Sequence, residues 1–241
     1  MQTALKDYLL YPAFILLVLA VPSLFVSLAV NIYAGSEDLY TGGFARYHIS
    51  GATGIGDSQL QNVARGMVDY FGGKVDSPQV EVDIRGIKRP VYNQKELIHL
   101  EDVRKIIDIF KMLEILSLII FLSAGLYIYF KPGVNRLLRG LQAGAVVSVA
   151  FLGSVMLWAL IDFNSIFYFF HILSFSNDLW LLDPATDYLI MMFPEGFFFD
   201  AAILIVATII ATAIVIWVAA YAAKKVLRRA EKPGNGVGSS V

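Results

Sequence analysis

The sequence predicts an all-α membrane bundle of four transmembrane helices, with a small α+β extracytoplasmic cap between helices 1 and 2. Three observations lead there. The first is composition: of 241 residues 57% are hydrophobic and the mean hydropathy is +0.65, too apolar for a soluble domain of this length. The second is that the uncharged apolar residues gather into four runs, at 9–32, 115–130, 141–161 and 201–223, to be compared with the about 20 residues that cross a bilayer. The third is the placement of charge. Lys131, Arg136 and Arg139 lie between the second and third runs with no acid among them, Lys224, Lys225, Arg228, Arg229 and Lys232 follow the fourth, and no lysine or arginine occurs over 141–223. By the positive-inside rule the basic stretches are cytoplasmic, so both termini are inside and residues 35–105 and 163–200 share the outer face.

Taken in order, residues 1–34 form the first transmembrane helix. Pro12 and Pro22 should bend it, which neighbouring helices of a bundle tolerate. Ala34-Gly35 would suit a processing site, yet the apolar run exceeds the roughly 7 to 15 residues of a signal peptide, so the segment is expected to be retained.

Residues 35–105 change composition, with glycine clusters and both signs of charge, and form the cap. Asp57 caps a helix whose apolar face is Leu60, Val63, Ala64, Met67, Val68 and Phe71, ended by Gly72-Gly73. Val80 to Ile84 alternates as a half-buried strand does, and Gly86 to Pro90 turns the chain toward Val91 and Tyr92. Asn93 with Glu96 three residues on fits a capping box opening a helix that carries His99. That helix keeps Asp108, Lys111 and Glu114 before losing its charges, so it starts at the surface and enters the membrane over 106–130.

A short basic loop over 131–140 leads to the third span over 141–162, where Gly144, Ser148 and Gly153 offer small surfaces for close helix contact. An aromatic-rich outer loop follows over 163–200, then the fourth span over 201–223 and a cytoplasmic tail over 224–241 whose glycine and serine end is expected to be disordered.

The outer loop is where chemistry is expected. It holds twelve of the thirty-two aromatic residues and one of three histidines, with Asp178, Asp183, Asp187 and Glu195 among the rings, more than an interfacial belt requires. His171, just after the third span, and His99, just before the second, share a level in this topology and can meet. Histidine suits proton transfer near neutral pH. Either one alone reads first as an interfacial ring bonded to backbone, and it is the pair that favours chemistry. Asn177, Asp178 and Asp102 are placed to orient a histidine or a substrate ammonium, and Trp180 stands beside them. His48 is structural by its surroundings, while Asp183-Pro184 and Asp200 read as helix starts.

The chain has no cysteine, which excludes a thiolate nucleophile, disulfides and cysteine-ligated metal. It also lacks the HExxH, GxSxG, Walker and GxGxxG patterns, no triad surrounds Ser174 or Ser176, and no basic strip suggests nucleic acid.

The runs KELIHLEDVRKI around His99 and HILSFSNDLWLLDPATDYLIMMFPEGFF from His171 resemble the bacterial lipoprotein intramolecular transacylase (Lit) family, over nearly the whole chain. The resemblance implies a multi-pass bacterial membrane enzyme without a cofactor, its site on the extracytoplasmic face. By motif its two catalytic histidines fall on His99 and His171, in an aromatic pocket where cap meets membrane. It implies transfer of the sn-2 acyl chain of a diacylglyceryl lipoprotein to the α-amino group of its N-terminal cysteine, which gives a lyso-form lipoprotein. Phe167, Phe170, Phe175 and Trp180 are then candidates for the mould that folds the lipid onto its own amine, and membrane lipid is the surrounding partner. The chain departs from the family's pattern in a glycine-rich cap stretch over 51–56 and in its long polar tail. Two other classes stand beside this reading: a non-enzymatic lipid-binding or assembly protein of the membrane, and a metal-dependent membrane hydrolase.

Overall fold

The computed structural model of the protein describes residues 2–84 and 86–230, with side chains from Leu9 onward; the expected tail lies outside the described residues beyond Ala230. The chain is mostly helical. Its described elements, in order, are α1 (Gln2–Ala34), α2 (Glu37–Arg46), α3 (Ile49–Thr53), α4 (Asp57–Phe71), β1 (Glu81–Ile84), β2 (Ile87–Pro90), α5 (Gln94–Phe130), α6 (Val134–Ile161), α7 (Phe163–Ser174), α8 (Tyr188–Met192) and α9 (Glu195–Ala230). Three of the described helices are long and apolar enough to cross a membrane: Leu9–Ala34, Val134–Ile161 and Glu195–Ala230. The fourth expected span, within α5, is not among them; α5 carries charge as far as Glu114 and is uncharged only from Ile115.

The chain divides into two compact units. One gathers α1 as far as Leu24, then Leu116–Phe151, then α9 from Ile209. Leu17, Ala124 and Ile128 form its buried centre, with Phe14, Phe121, Leu137 and Leu141 packed around them. Small residues let α6 approach α1: a Cβ on Gly140 would sit 2.7 Å from Leu17, and one on Gly144 would sit 2.7 Å from Val21. Ser148 is fully buried and bonds back to the Gly144 carbonyl at 2.9 Å. Among the described residues of this unit only the connection at Lys131 to Gly133 is non-helical, so Arg136 and Arg139 lie in the first turns of α6 rather than in a loop.

The second unit comprises Phe25–Ile115 and Leu152–Thr208. Gly153, on α6 in this unit, has open space where its Cβ would be, so the expected close contact is absent at that position. The core runs from Tyr40 and Phe44 on α2 through Leu60, Val63, Ala64 and Met67 on α4 to Leu189, Met192, Phe193 and Phe197. α4 buries the expected face, with Tyr70 added and Val68 only half-buried. Its N-cap is Gly56, and Asp57 is its first helical residue, where a carboxylate complements the helix dipole.

A hairpin is present, but its turn is shorter than expected: Ile87–Pro90 is itself the return strand rather than part of the turn, and Val91 and Tyr92 follow it. β1 and β2 pair antiparallel with Ile84 opposite Ile87, Val82 and Ile84 point inward, and the turn is closed by Gly86 at φ +85 with its N–H donated to the Asp83 carboxylate at 2.6 Å. A bridge from Ile84 to Ile55 ties the hairpin to the chain before α4. α2 lies so close to the start of α9 that a Cβ on Gly43 would meet the Phe197 ring at 2.4 Å, and one on Gly196 would meet Tyr47 at 2.7 Å.

Two expected helix starts fall elsewhere. Asp183 accepts the N–H of Ala185 at 2.9 Å and closes a turn, while α8 begins only after Asp187. Asp200 lies inside α9, which Glu195 opens right after Pro194. Its carboxylate instead accepts the Tyr47 hydroxyl at 2.7 Å and pairs with Arg46 at 3.2 Å, fastening the end of α2. The stretch expected as an open loop over 163–200 is largely α7, α8 and the first turns of α9.

Candidate active site

Each histidine is held by a local device legible in its own segment. Asn93 and Glu96 form a reciprocal capping box at the start of α5: the Glu96 N–H donates to Asn93 Oδ1 at 3.0 Å and the Asn93 N–H donates to Glu96 Oε2 at 2.7 Å. His99 follows one turn later. On the other side Asp162 caps α7, accepting the Ser165 N–H at 3.0 Å, and His171 occupies the last turn as the buried residue of that helix.

The two rings come together. Their centroids lie 6.4 Å apart with planes at 29°, and the residues are 7% and 8% exposed. Phe175, at the C-cap of α7, contacts both, 5.0 Å from His99 and 5.6 Å from His171. Phe167 at 4.4 Å, Trp180 at 4.9 Å and Phe170 at 5.4 Å complete the aromatic surround of His171. All four expected mould residues therefore touch the pair.

Hydrogen bonding distinguishes the rings. His171 Nδ1 lies 2.7 Å from the Phe167 carbonyl, which can only accept, so Nδ1 carries the hydrogen and Nε2 keeps its lone pair. His99 Nδ1 is buried with no hydrogen-bond partner. Burying a polar nitrogen unpaired costs about 1–3 kcal/mol, which a bound hydrogen-bond donor would offset. Burial, followed by the charge of His171, brings His99 down to about 4 against a small opposing pull from Asp102. His171 is lowered too, by burial, with the Phe167 bond acting in the other direction. Both are neutral imidazoles near pH 7.

The acids behave differently from expectation. Asp102 and Asn177 bond to each other, at 2.8 Å, rather than to either ring, and Lys105 holds the other Asp102 oxygen at 3.0 Å. Asn177's hydrogen bond is the main reason that the Asp102 carboxyl is held below its usual range. Asp178 is exposed, with its carbonyl accepting the Leu181 N–H at 3.1 Å. Among the described residues no three histidine, aspartate or glutamate side chains converge as a metal site would require.

Sequence reasoning missed a second layer. Glu96, 1% exposed, turns its other oxygen to the Leu189 N–H at 2.6 Å, so one carboxylate both caps α5 and holds the start of α8. Asp187 accepts from Asn93 at 2.9 Å and from the Asp183 N–H at 2.8 Å, and Lys95 reaches Asp187 at 3.7 Å and the Leu181 carbonyl at 2.6 Å. The capping pattern exposes half of Glu96's role; nothing local signals its tie to residue 189.

A family profile described as lipoprotein intramolecular transacylase Lit matches residues 14–198. No curated protein sequence matches the chain. Among solved structures, the chain is similar to the membrane-integral lipoprotein intramolecular transacylase Lit from Bacillus cereus, with a TM-score of 0.80 and 22% identity over 92% of this chain and 99% of that one. Histidine-to-arginine and histidine-to-alanine variants of the same Bacillus cereus protein match with a TM-score of 0.77 and 20% identity, over 95% of this chain. They cover 98% and 100% of their own lengths, and at such identities the likeness is one of fold. With most of its length matched by the profile, the chain belongs to the lipoprotein intramolecular transacylase family, Lit.

Proposed function

We propose that this chain moves the sn-2 acyl group of a diacylglyceryl lipoprotein onto the α-amino group of the same molecule's N-terminal cysteine, with His99 and His171 carrying the protons. The observation that bears most weight is the buried pair itself: two neutral imidazoles, 6.4 Å apart, one with a free Nε2 lone pair and one with an unpartnered Nδ1. Proton transfer requires the ester and the amine each to lie about 3 Å from a ring nitrogen of this pair.

An α-amine has a pKa of about 7.7 to 8.0, so it arrives mostly as an ammonium and must lose a proton before it attacks. His99 Nδ1 takes that first proton. The neutral amine adds to the ester carbonyl, and His171 Nε2 removes a second proton from the nitrogen as the tetrahedral adduct forms. His99, now an imidazolium made strongly acidic by burial, protonates the glyceryl oxygen as the C–O bond breaks. The amide keeps the third hydrogen, and the proton on His171 leaves to solvent. Donor and acceptor share one molecule, so no acyl-enzyme is needed, and the ring wall of Phe167, Phe170, Phe175 and Trp180 serves by holding them at attack distance.

This reading sets the site on the outer face of a bacterial cell membrane, with α5 over 106–130 as a fourth span and residues 35–105 as an extracytoplasmic cap. It draws support from the cation-free stretch over 141–223 between two basic ones.

The test is incubation of a diacylglyceryl lipopeptide with the purified protein. Intramolecular transfer leaves the mass unchanged, so the readout is loss of the free amine together with fragment ions bearing an N-acyl cysteine. His171→Asn and His99→Asn should each lower the rate about 10² to 10⁴-fold, while Ser174→Ala and Ser176→Ala retain most of it. A lipopeptide with a blocked amine should bind without reacting. Free fatty acid as the main product, an acyl group trapped on the protein, or inhibition by a chelator would replace this mechanism with a hydrolase or an acyl-enzyme.

A further inference from the structure

The apolar unit carries a cluster that the transfer chemistry does not use. Its stretches Leu116–Phe151 and Ile209 to Ala230 contain no aspartate or glutamate. Near one end of it α6 and α9 are joined through Gln142, whose Nε2 donates to the Trp217 carbonyl at 3.3 Å and whose Oε1 accepts from the Lys224 ammonium. That second bond holds a half-buried lysine in one position. Arg139 lies one turn before Gln142 on α6 and Arg228 one turn beyond Lys224 on α9, so the Gln142–Lys224 bond gathers the three cations into one cluster. Arg139 and Arg228 are exposed, and among the described residues no carboxylate pairs with any of the three. Like charges gathered without a counter-charge repel, and an anion seated among them removes that repulsion.

The surroundings select the anion. Trp217 and Tyr221 stack one turn apart on α9, with ring centroids 5.7 Å apart and planes at 2°, and are 40% and 54% exposed. Exposed tryptophan and tyrosine just short of a basic helix end are the side chains of a bilayer interface. Both helices are long and apolar enough to span, which puts the cations at headgroup depth. A basic niche between helices at that depth suits a lipid phosphate more than a soluble one.

We propose that Arg139, Lys224 and Arg228, between α6 and α9, bind the phosphate of an anionic phospholipid whose acyl chains lie along Trp217 and Tyr221. The cluster shares no residue with the histidine pair, and the inference stands whether or not the chain transfers acyl groups.

The experiment is native mass spectrometry of the protein released from vesicles of phosphatidylcholine alone or of an equimolar mixture with phosphatidylglycerol, with thermal midpoints recorded in both. The parent chain should retain phosphatidylglycerol in preference to phosphatidylcholine and melt at a higher temperature in the mixture. R139Q/R228Q should lose that preference, with affinity for phosphatidylglycerol weakened about 10 to 30-fold as two surface cations go, and should melt like the parent in phosphatidylcholine. Lys224→Gln provides a single-site version should the double variant fold poorly. K225Q/R229Q removes the same net charge from adjacent positions and should weaken binding far less. Absence of a preference in the parent, equal losses in the two double variants, or equal stabilisation by inorganic phosphate in phosphatidylcholine vesicles would each overturn the assignment.

Discussion

The carboxamide of Asn177 donates to the Asp102 carboxylate at 2.8 Å, joining the segment just beyond His171 to the helix turn just beyond His99. The bond spans the same two chain segments as the histidine pair, one turn away on α5 and six residues on from His171. It acts on geometry and touches neither ring.

Removing it should therefore loosen the pair. Asn177→Ala leaves a half-buried carboxylate short of a partner, at about 1.5–3 kcal/mol, and small displacements of reacting groups can lower rates by as much as about 10²-fold. The expected outcome is a fall in kcat with little change in KM, and partial recovery in Asn177→Gln. An equal fall in Asp178→Ala, whose side chain is exposed, would show that general disruption of the loop is responsible.

The pH dependence follows from the direction of the histidine shifts. His99 falls from about 6.5 in the unfolded chain to about 4 in the folded protein, so between those values the unfolded state binds the extra proton. Its penalty is absent above about pH 6.5 and grows as pH falls toward about 4, to a full size of about 3 kcal/mol. The lowered His171 acts with the same sign. Thermal midpoints of the parent should drop steeply over this window, and those of His99→Gln should drop less. Identical pH profiles for the two proteins would contradict the burial of a neutral ring.

Glu96 is expected to be intolerant of substitution although it is not a proton carrier. Its two oxygens accept the N–H groups of Asn93 and Leu189 at 2.7 and 2.6 Å, and a glutamine can accept at only one of them. Glu96→Gln should lower stability by about 1–3 kcal/mol and Glu96→Ala by more, read as thermal midpoints in detergent. A midpoint unchanged in both would mean that the clamp between α5 and α8 carries no weight.

Topology is open to direct labelling. With cysteines introduced at Ser58 and Gly234 of a chain that has none, an impermeant thiol reagent applied to intact cells should label position 58 only. Labelling at 234 and not at 58 would invert the arrangement.

By itself the sequence determined what depends on neighbours along the chain. The apolar runs of α1, α6 and α9, the buried face of α4, the hairpin around Gly86 and the capping box of Asn93 and Glu96 all follow from periodicity, turn chemistry and residues three apart. It also led to the expectation that His99 and His171 can meet, and their ring centroids lie 6.4 Å apart. Tertiary structure alone decided what depends on approach between distant segments: that Asp102 pairs with Asn177 and not with His99, that Glu96 reaches residue 189, and that Asp200 fastens Tyr47 instead of capping α9. A carboxylate has no directional signature in sequence. Its partner is whichever donor the packing of rings and helices brings within about 3 Å, and that packing sums many weak contacts spread over the whole unit.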